Sequence, residues 1–318
     1  MRFLPSAGGH PSEAQQRPKA GAGTSPLVVV GVSNGGCSDA VEWAVAEASS
    51  RHGSLRIVHA FAWPLAVDPC GAVAVASSET GAQAAADLIV QEAASRARSV
   101  APDVDITTRT VVGAPVPVMR RQAELADLVV LGGRGSGHRF ASRDGGVAAA
   151  LVARADCPVA VIRPFHGVTP GPSAARVVVG VDGSRLSMPA VGLAFQAASR
   201  RGVGLTAVHS CVPRSSDDCS QSFEQSSSLR SAWQTLDRSL APWRVMFPAV
   251  DVRPKLVAVH PSIAIVAESS GAALVVVGCR GRGRFRRRLF GSVSQTVLVR
   301  AHSPITVVRT DHDATRSR

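Results

Sequence analysis

Between Gly278 and Ser292 the chain reads GCRGRGRFRRRLFGS, with six arginines directly after the apolar run Ala272 to Val277. The spacing Gly278-x2-Gly281-x9-Gly291-Ser292 is suited to holding an anion at the end of a strand. The early glycines, Gly283 included, let the backbone turn with positive φ and come close to a ligand. Successive N–H groups then form an anion-binding concavity. Gly291 and Ser292 open the following helix, so its unpaired N–H groups, in the turn that carries Val293 and Ser294, favour phosphate. Ser292 is suited to N-capping that helix or to donating its hydroxyl to a phosphate oxygen. Arg280 and Arg282 add cations able to bind phosphate through two nitrogens.

Other chemistry finds less support. No G-x4-G-K-[ST] is present, which disfavours a P-loop nucleotidase, and no GxGxxG follows the first strand. The six cysteines lack metal-ligand or disulfide spacing. Cys279 adjoins the cationic loop, where a thiol can be activated, although packing at a strand end explains it more simply. Ser33, Ser184 and Ser294 have no His and Asp arrangement that would make a nucleophile. His59 and His209 end matching strands and read as histidines satisfied by nearby backbone. Trp43 and Trp233 read as core or interface residues.

The elements that must position the loop occur twice. PLVVVGVSNG at 26–35 matches ARVVVGVDGS at 175–184, LRIVHA at 55–60 matches LTAVHS at 205–210, and GAP at 113–115 faces VHP at 259–261. DLVVLGGRGSG at 127–137 matches ALVVVGCRGRG at 273–283, and CPVAVIR at 157–163 matches SPITVVR at 303–309. Repeats of this length are duplicated domains rather than solenoid turns. Within each copy, continuous β-branched runs alternate with Ala-rich helical stretches, as buried parallel strands with covering helices require. The helices are expected at Ser38–Arg51, about Thr80–Ser99, Pro115–Ala126 and Gly146–Ala155. Their counterparts are Ser187–Arg201, about Phe223–Ala241, Pro261–Ser270 and Ser292–His302. The fold class is therefore α/β, two tandem units each with a five-stranded parallel sheet flanked by helices, and ligands belong beyond the carboxyl ends of the strands. The expected boundaries are a disordered arm at 1–25, units at 26–165 and 176–310, a linker at 166–175 and a flexible tail at 311–318.

Charge is unevenly divided. Residues 26–166 carry 12 Arg against 13 acids, whereas 167–318 carry 20 Arg plus Lys against 9 acids. That asymmetry suits an anionic partner for the second half. No run reaches the ~18 apolar residues of a membrane span, and the N-terminus lacks the apolar core of a secretory signal. A cytoplasmic protein with no membrane association is expected.

The Gly-x2-Gly-x9-Gly-Ser loop, the Asp that closes VVVGVDGS and the tandem arrangement together resemble the universal stress protein family, in its two-unit actinobacterial form. The likeness spans residues 26 to 310. It implies Rossmann-like units that bind ATP, with or without Mg2+, and that join as a pseudo-dimer through antiparallel pairing of their last strands. By that resemblance Asp182, beside Gly180, takes adenosine recognition, and Gly278, Gly281, Gly291 and Ser292 take phosphate. The first copy carries Gly31, Gly113, Gly132, Arg134, Gly135 and Gly145, but Ser33 replaces the Asp and Gly146 replaces the Ser. The second copy has Val259 in place of Gly113, a side chain able to crowd the nucleotide. Since a charged acceptor contributes about 1.5–3 kcal/mol, the second site is expected to be the better one.

The resemblance says nothing about Arg284, Arg286, Arg287 and Arg288. They are open to three readings: extra phosphate clamps, a nucleic-acid patch, or a solvated loop. The functional reading is a nucleotide-dependent stress or regulatory protein without an evident catalytic base. A slow ATPase and a nucleic-acid-associated protein are the alternatives, and a homodimer of the tandem chain is open.

Overall fold

In a computed structural model, residues 25–34, 38–61, 65–67, 73–75, 79–133, 146–163, 175–211, 227–279 and 291–309 are described. The expected N-terminal arm, inter-unit linker and C-terminal tail lie almost wholly outside them, so their expected bounds stay untested.

The first unit runs β1 (Leu27–Val32), α1 (Ser38–Ser50), β2 (Ser54–Phe61), β3 (Leu65–Val67), β4 (Val73–Val75), α2 (Glu79–Val100), β5 (Ile106–Val112), α3 (Pro115–Ala123), β6 (Leu128–Gly132), α4 (Gly146–Arg154) and β7 (Val159–Ile162). The second runs β8 (Val177–Gly180), α5 (Met188–Arg201), β9 (Leu205–Ser210), α6 (Ser227–Met246), β10 (Val252–Val257), α7 (Pro261–Glu268), β11 (Leu274–Gly278), α8 (Ser292–Arg300) and β12 (Ile305–Val308).

Ten strands form one sheet in the order β5-β2-β1-β6-β7-β12-β11-β8-β9-β10. All neighbours are parallel except β7 and β12, which pair antiparallel with Ile305 opposite Val161 and Val307 opposite Val159. Two five-stranded units are thus joined edge to edge, as expected, and each union hides an edge that would otherwise be free to pair elsewhere. Every residue of β7 and of β12 is buried. The outermost strands β5 and β10 carry Thr, Arg and Lys and are mostly half-buried or exposed, as edge strands should be.

One face of the sheet holds a core continuous across both units, in which Leu151 and Val152 of α4 and Val297 and Leu298 of α8 lie over β7 and β12. On the other face α1 and α2 cover the first unit and α5 and α6 the second. Trp43 packs against both of those cores, so its expected role at an interface holds. Trp233 is exposed and belongs to no core.

Across the same seam Glu47 of α1, only 3% exposed, accepts from Arg51 Nε at 2.7 Å, Arg200 at 3.2 Å and Arg201 at 2.5 Å. The Arg201 guanidinium also lies over the Trp43 ring, 5.6 Å from its centroid. Burial works to raise the Glu47 pKa, but the attraction of Arg201, Arg51 and Arg200 outweighs it and holds the carboxyl below its ordinary value.

Two local features depart from expectation. The chain adds a separate antiparallel pair, β3 with β4, between β2 and α2. Its strands have three residues each, too short for a periodicity argument, and only Asp68, Pro69 and Gly71 between them hint at a turn. Helix α6 was expected to stop before Pro242 yet continues to Met246. Past the proline, Trp243 stacks on Phe195 of α5 and Phe247 packs against it at a tilt, at centroid distances of 6.5 and 6.1 Å. Gly192 makes the approach possible, because a Cβ there would lie 2.4 Å from the Trp243 ring. That aromatic packing offsets the hydrogen bond the proline cannot donate.

Candidate functional site

Within each unit the strand order reverses between its first and fourth strands, which are β1 and β6 in one and β8 and β11 in the other. A crevice opens at such a reversal, beyond the carboxyl ends of the two strands. In the second unit those ends deliver Asp182 and Cys279.

The turn after β8 is well defined. Asp182 Oδ1 accepts the Ser184 N–H at 2.8 Å, and Gly183 takes φ +74°, a left-handed conformation that favours glycine. His209 Nδ1 lies 2.6 Å from the Val181 carbonyl oxygen, and His59 Nδ1 lies 2.8 Å from that of Val32. A carbonyl can only accept, so Nδ1 carries the proton in each ring. Both histidines therefore fix the backbone beside the crevice, as expected. Ser184 adds a feature that the sequence reading treated only as a nucleophile to be dismissed: its Oγ is buried and has no hydrogen-bond partner. A buried hydroxyl beside Asp182 without a protein partner suits a polar ligand.

The Gly-rich loop is closed at its base. Gly291 N–H donates to the Cys279 carbonyl at 2.9 Å, and Ser294 Oγ donates to that same carbonyl at 3.2 Å or to Gly291 O at 3.1 Å. Gly291, not Ser292, is the N-cap of α8, and no side chain caps the helix. Ser292 is the first helical residue and is exposed. The sequence admits both arrangements because Gly and Ser are each accepted at an N-cap. Leaving the cap to glycine keeps side chains away from the first-turn N–H groups of Ser292, Val293 and Ser294. The first intrahelical bond is the 3.0 Å one from Gln295 N–H to Gly291 O. Buried Ser294 spends its proton on the loop base. Cys279 is buried, with Sγ directed at the Val152 carbonyl at 3.8 Å, in keeping with a packing role.

Gly180 and Gly31 have a packing reason of their own. A Cβ at Gly180 would lie 2.8 Å from Ile265 Cδ1, and one at Gly31 would lie 2.9 Å from Leu131 Cδ2, so both let a helix and a neighbouring strand sit close. Gly278 and Gly132 end β11 and β6 at the crevice. Gly113 has φ +149°, which its counterpart Val259 does not share, and the Val259 side chain is exposed. Gly146 opens α4 with φ +63°. Arg280, Gly281, Arg282, Gly283, Arg134, Gly135, Gly145 and the four arginines from Arg284 to Arg288 lie outside the described residues. Among the described residues no cluster of three His, Cys, Asp or Glu could hold a metal ion. No helix among them is long and apolar enough to cross a membrane.

A tandem pair of doubly wound α/β units, each with a glycine-rich strand-to-helix loop at its switch point, is the class of protein that fold and site define. The sequence pattern of the universal stress protein family matches twice, at residues 27–163 and 174–309. The chain belongs to that family. It is 36% identical over 288 residues to universal stress protein Rv2005c of Mycobacterium tuberculosis, covering 89% of this chain and 96% of that one. It is 34% identical over 298 residues to universal stress protein Rv2623 of the same organism, covering 90% and 98%. A universal stress protein from Archaeoglobus fulgidus shares the fold at a TM-score of 0.64 and 18% identity, over 91% of this chain and 98% of that one.

Proposed function

We propose that the second unit, residues 176–310, binds ATP between the β8 turn and the N-terminus of α8, and that the chain is a nucleotide-dependent regulatory protein of the cytoplasm. The observation that carries this is a helix start capped by glycine, with no side chain on its first-turn N–H groups, at the same end of the sheet as Asp182, whose turn holds the buried, unpartnered Ser184 hydroxyl. Asp182 would accept from the ribose, and the first-turn N–H groups with the Ser292 hydroxyl would hold phosphate oxygens. Any Mg2+ would arrive on the phosphates. The first unit, 26–165, offers Ser33 and Gly146 in place of the carboxylate and hydroxyl, and we assign it weak or no binding.

Titration calorimetry with ATP tests the reading, followed by chromatography of the nucleotide for ADP. Intact ATP after prolonged incubation supports a sensor, whereas steady ADP release makes the protein a slow ATPase. Changing Arg284, Arg286, Arg287 and Arg288 together to Ala is expected to weaken ATP about tenfold, equivalent to about 1.4 kcal/mol, and to leave adenosine nearly unchanged. Unchanged ATP affinity with loss of a salt-sensitive association with DNA would assign those arginines to nucleic acid instead.

A further inference from the structure

We propose that Arg163, a residue of the first unit, is a positioning residue for the phosphate end of the second unit's site, acting through α8. The proposal rests on the ATP reading above. Arg163 closes β7, and across the seam its Nη1 donates to the Val299 carbonyl at 2.6 Å while its Nη2 donates to that of Leu298. These are last-turn carbonyls of α8, whose C-cap Ala301 is extended and whose own Arg300 is exposed. The cation that the negative end of α8 favours thus comes from the other unit, while the positive end faces the candidate phosphate site. Burial pushes the Arg163 guanidinium below its ordinary pKa range, in keeping with a desolvated contact. Room for it depends on Gly133, since a Cβ there would lie 2.2 Å from Arg163 Cγ.

The opposite clamp is weaker. Arg309 ends β12 at the matching position and donates to Ala153 O of α4 at 3.4 Å. Cys279 stands where the first unit has Gly133, and its thiol rather than a guanidinium nitrogen faces the Val152 carbonyl at 3.8 Å. One charged fork therefore holds both carbonyls behind the better site, while a long hydrogen bond and a thiol share the equivalent carbonyls behind the degenerate one. On this view the first unit serves the second as a brace.

The test compares ATP and adenosine by calorimetry in the full chain, with thermal melts alongside. Arg163→Ala is expected to weaken ATP about fivefold and adenosine less than about twofold, because only ATP meets the α8 N-terminus. Gly133→Ala, whose methyl occupies the space of the Arg163 stem, should reproduce that selective loss. Arg163→Lys should recover part of it, and Arg309→Ala should leave ATP within about twofold. If Arg163→Ala does not fold, the Gly133 and Lys variants decide. Wild-type-like ATP affinity in Arg163→Ala or Gly133→Ala, or equal losses for ATP and adenosine in them, overturns the proposal while the ATP reading stands. A wild-type chain that binds no ATP removes the ATP reading, and this proposal with it.

Discussion

Asp182→Ala is expected to weaken ATP binding about ten- to a hundredfold, while Ser33→Ala leaves it within about twofold. A hydrogen bond to a charged acceptor is worth about 1.5–3 kcal/mol, and each 1.4 kcal/mol is tenfold in affinity. Asp182 also orders its own turn through the 2.8 Å bond from Ser184 N–H, so part of the loss would come from a loosened loop. Asp182→Asn separates the two effects, since an amide oxygen can keep the turn while the charge is gone. An intermediate affinity for Asn assigns the remainder to charge. Equal effects at Asp182 and Ser33, measured by calorimetry, would put the better site in the first unit.

The second large effect concerns the seam. Glu47→Ala is expected to destabilise the chain by about 3 kcal/mol in denaturant unfolding, the lower end of what breaking a buried ion pair costs. The arginines keep some contact with water, their side chains being 14–22% exposed, which moderates the repulsion left among them. The same carboxylate gives a pH dependence. Its folded pKa lies below its ordinary value of 4.5, so its contribution is fully present above about that pH and is lost as pH falls through the folded value. Wild type should therefore lose stability on acidification below pH ~4.5 more steeply than Glu47→Gln, which does not titrate there. Matching acid profiles for the two proteins would deny Glu47 that role.

The sheet was legible because its strands are continuous β-branched runs and because the chain states them twice. The seam was legible only in part. CPVAVIR and SPITVVR marked the last strands, and the shared terminal Arg was a signal of the crossed clamps, but nothing in spacing says that a guanidinium caps a helix 135 residues away. Glu47 lies in an Ala-rich helix and reads as a surface acid until α5 is laid beside it. Pro242 misled because local propensity argued for a stop, whereas Trp243 and Phe247 had partners on α5 that lie some 50 residues away in sequence. At the site, the glycine spacing pointed to the carboxyl ends of β6 and β11 but could not separate glycines suited to a ligand from Gly31 and Gly180, which a packed neighbour also requires. Ser184 was hidden for the opposite reason, since a lone serine acquires meaning only when its hydroxyl is buried without a partner.

The most direct measurement is native mass spectrometry of the purified chain titrated with ATP, with the bound species identified after release. One ATP per chain in the wild type, reached only at about ten- to a hundredfold higher ATP in Asp182→Ala and at nearly the same ATP in Ser33→Ala, is the predicted result. A wild-type chain that binds no adenine nucleotide, or one whose ATP survives Asp182→Ala but not Ser33→Ala, would contradict it.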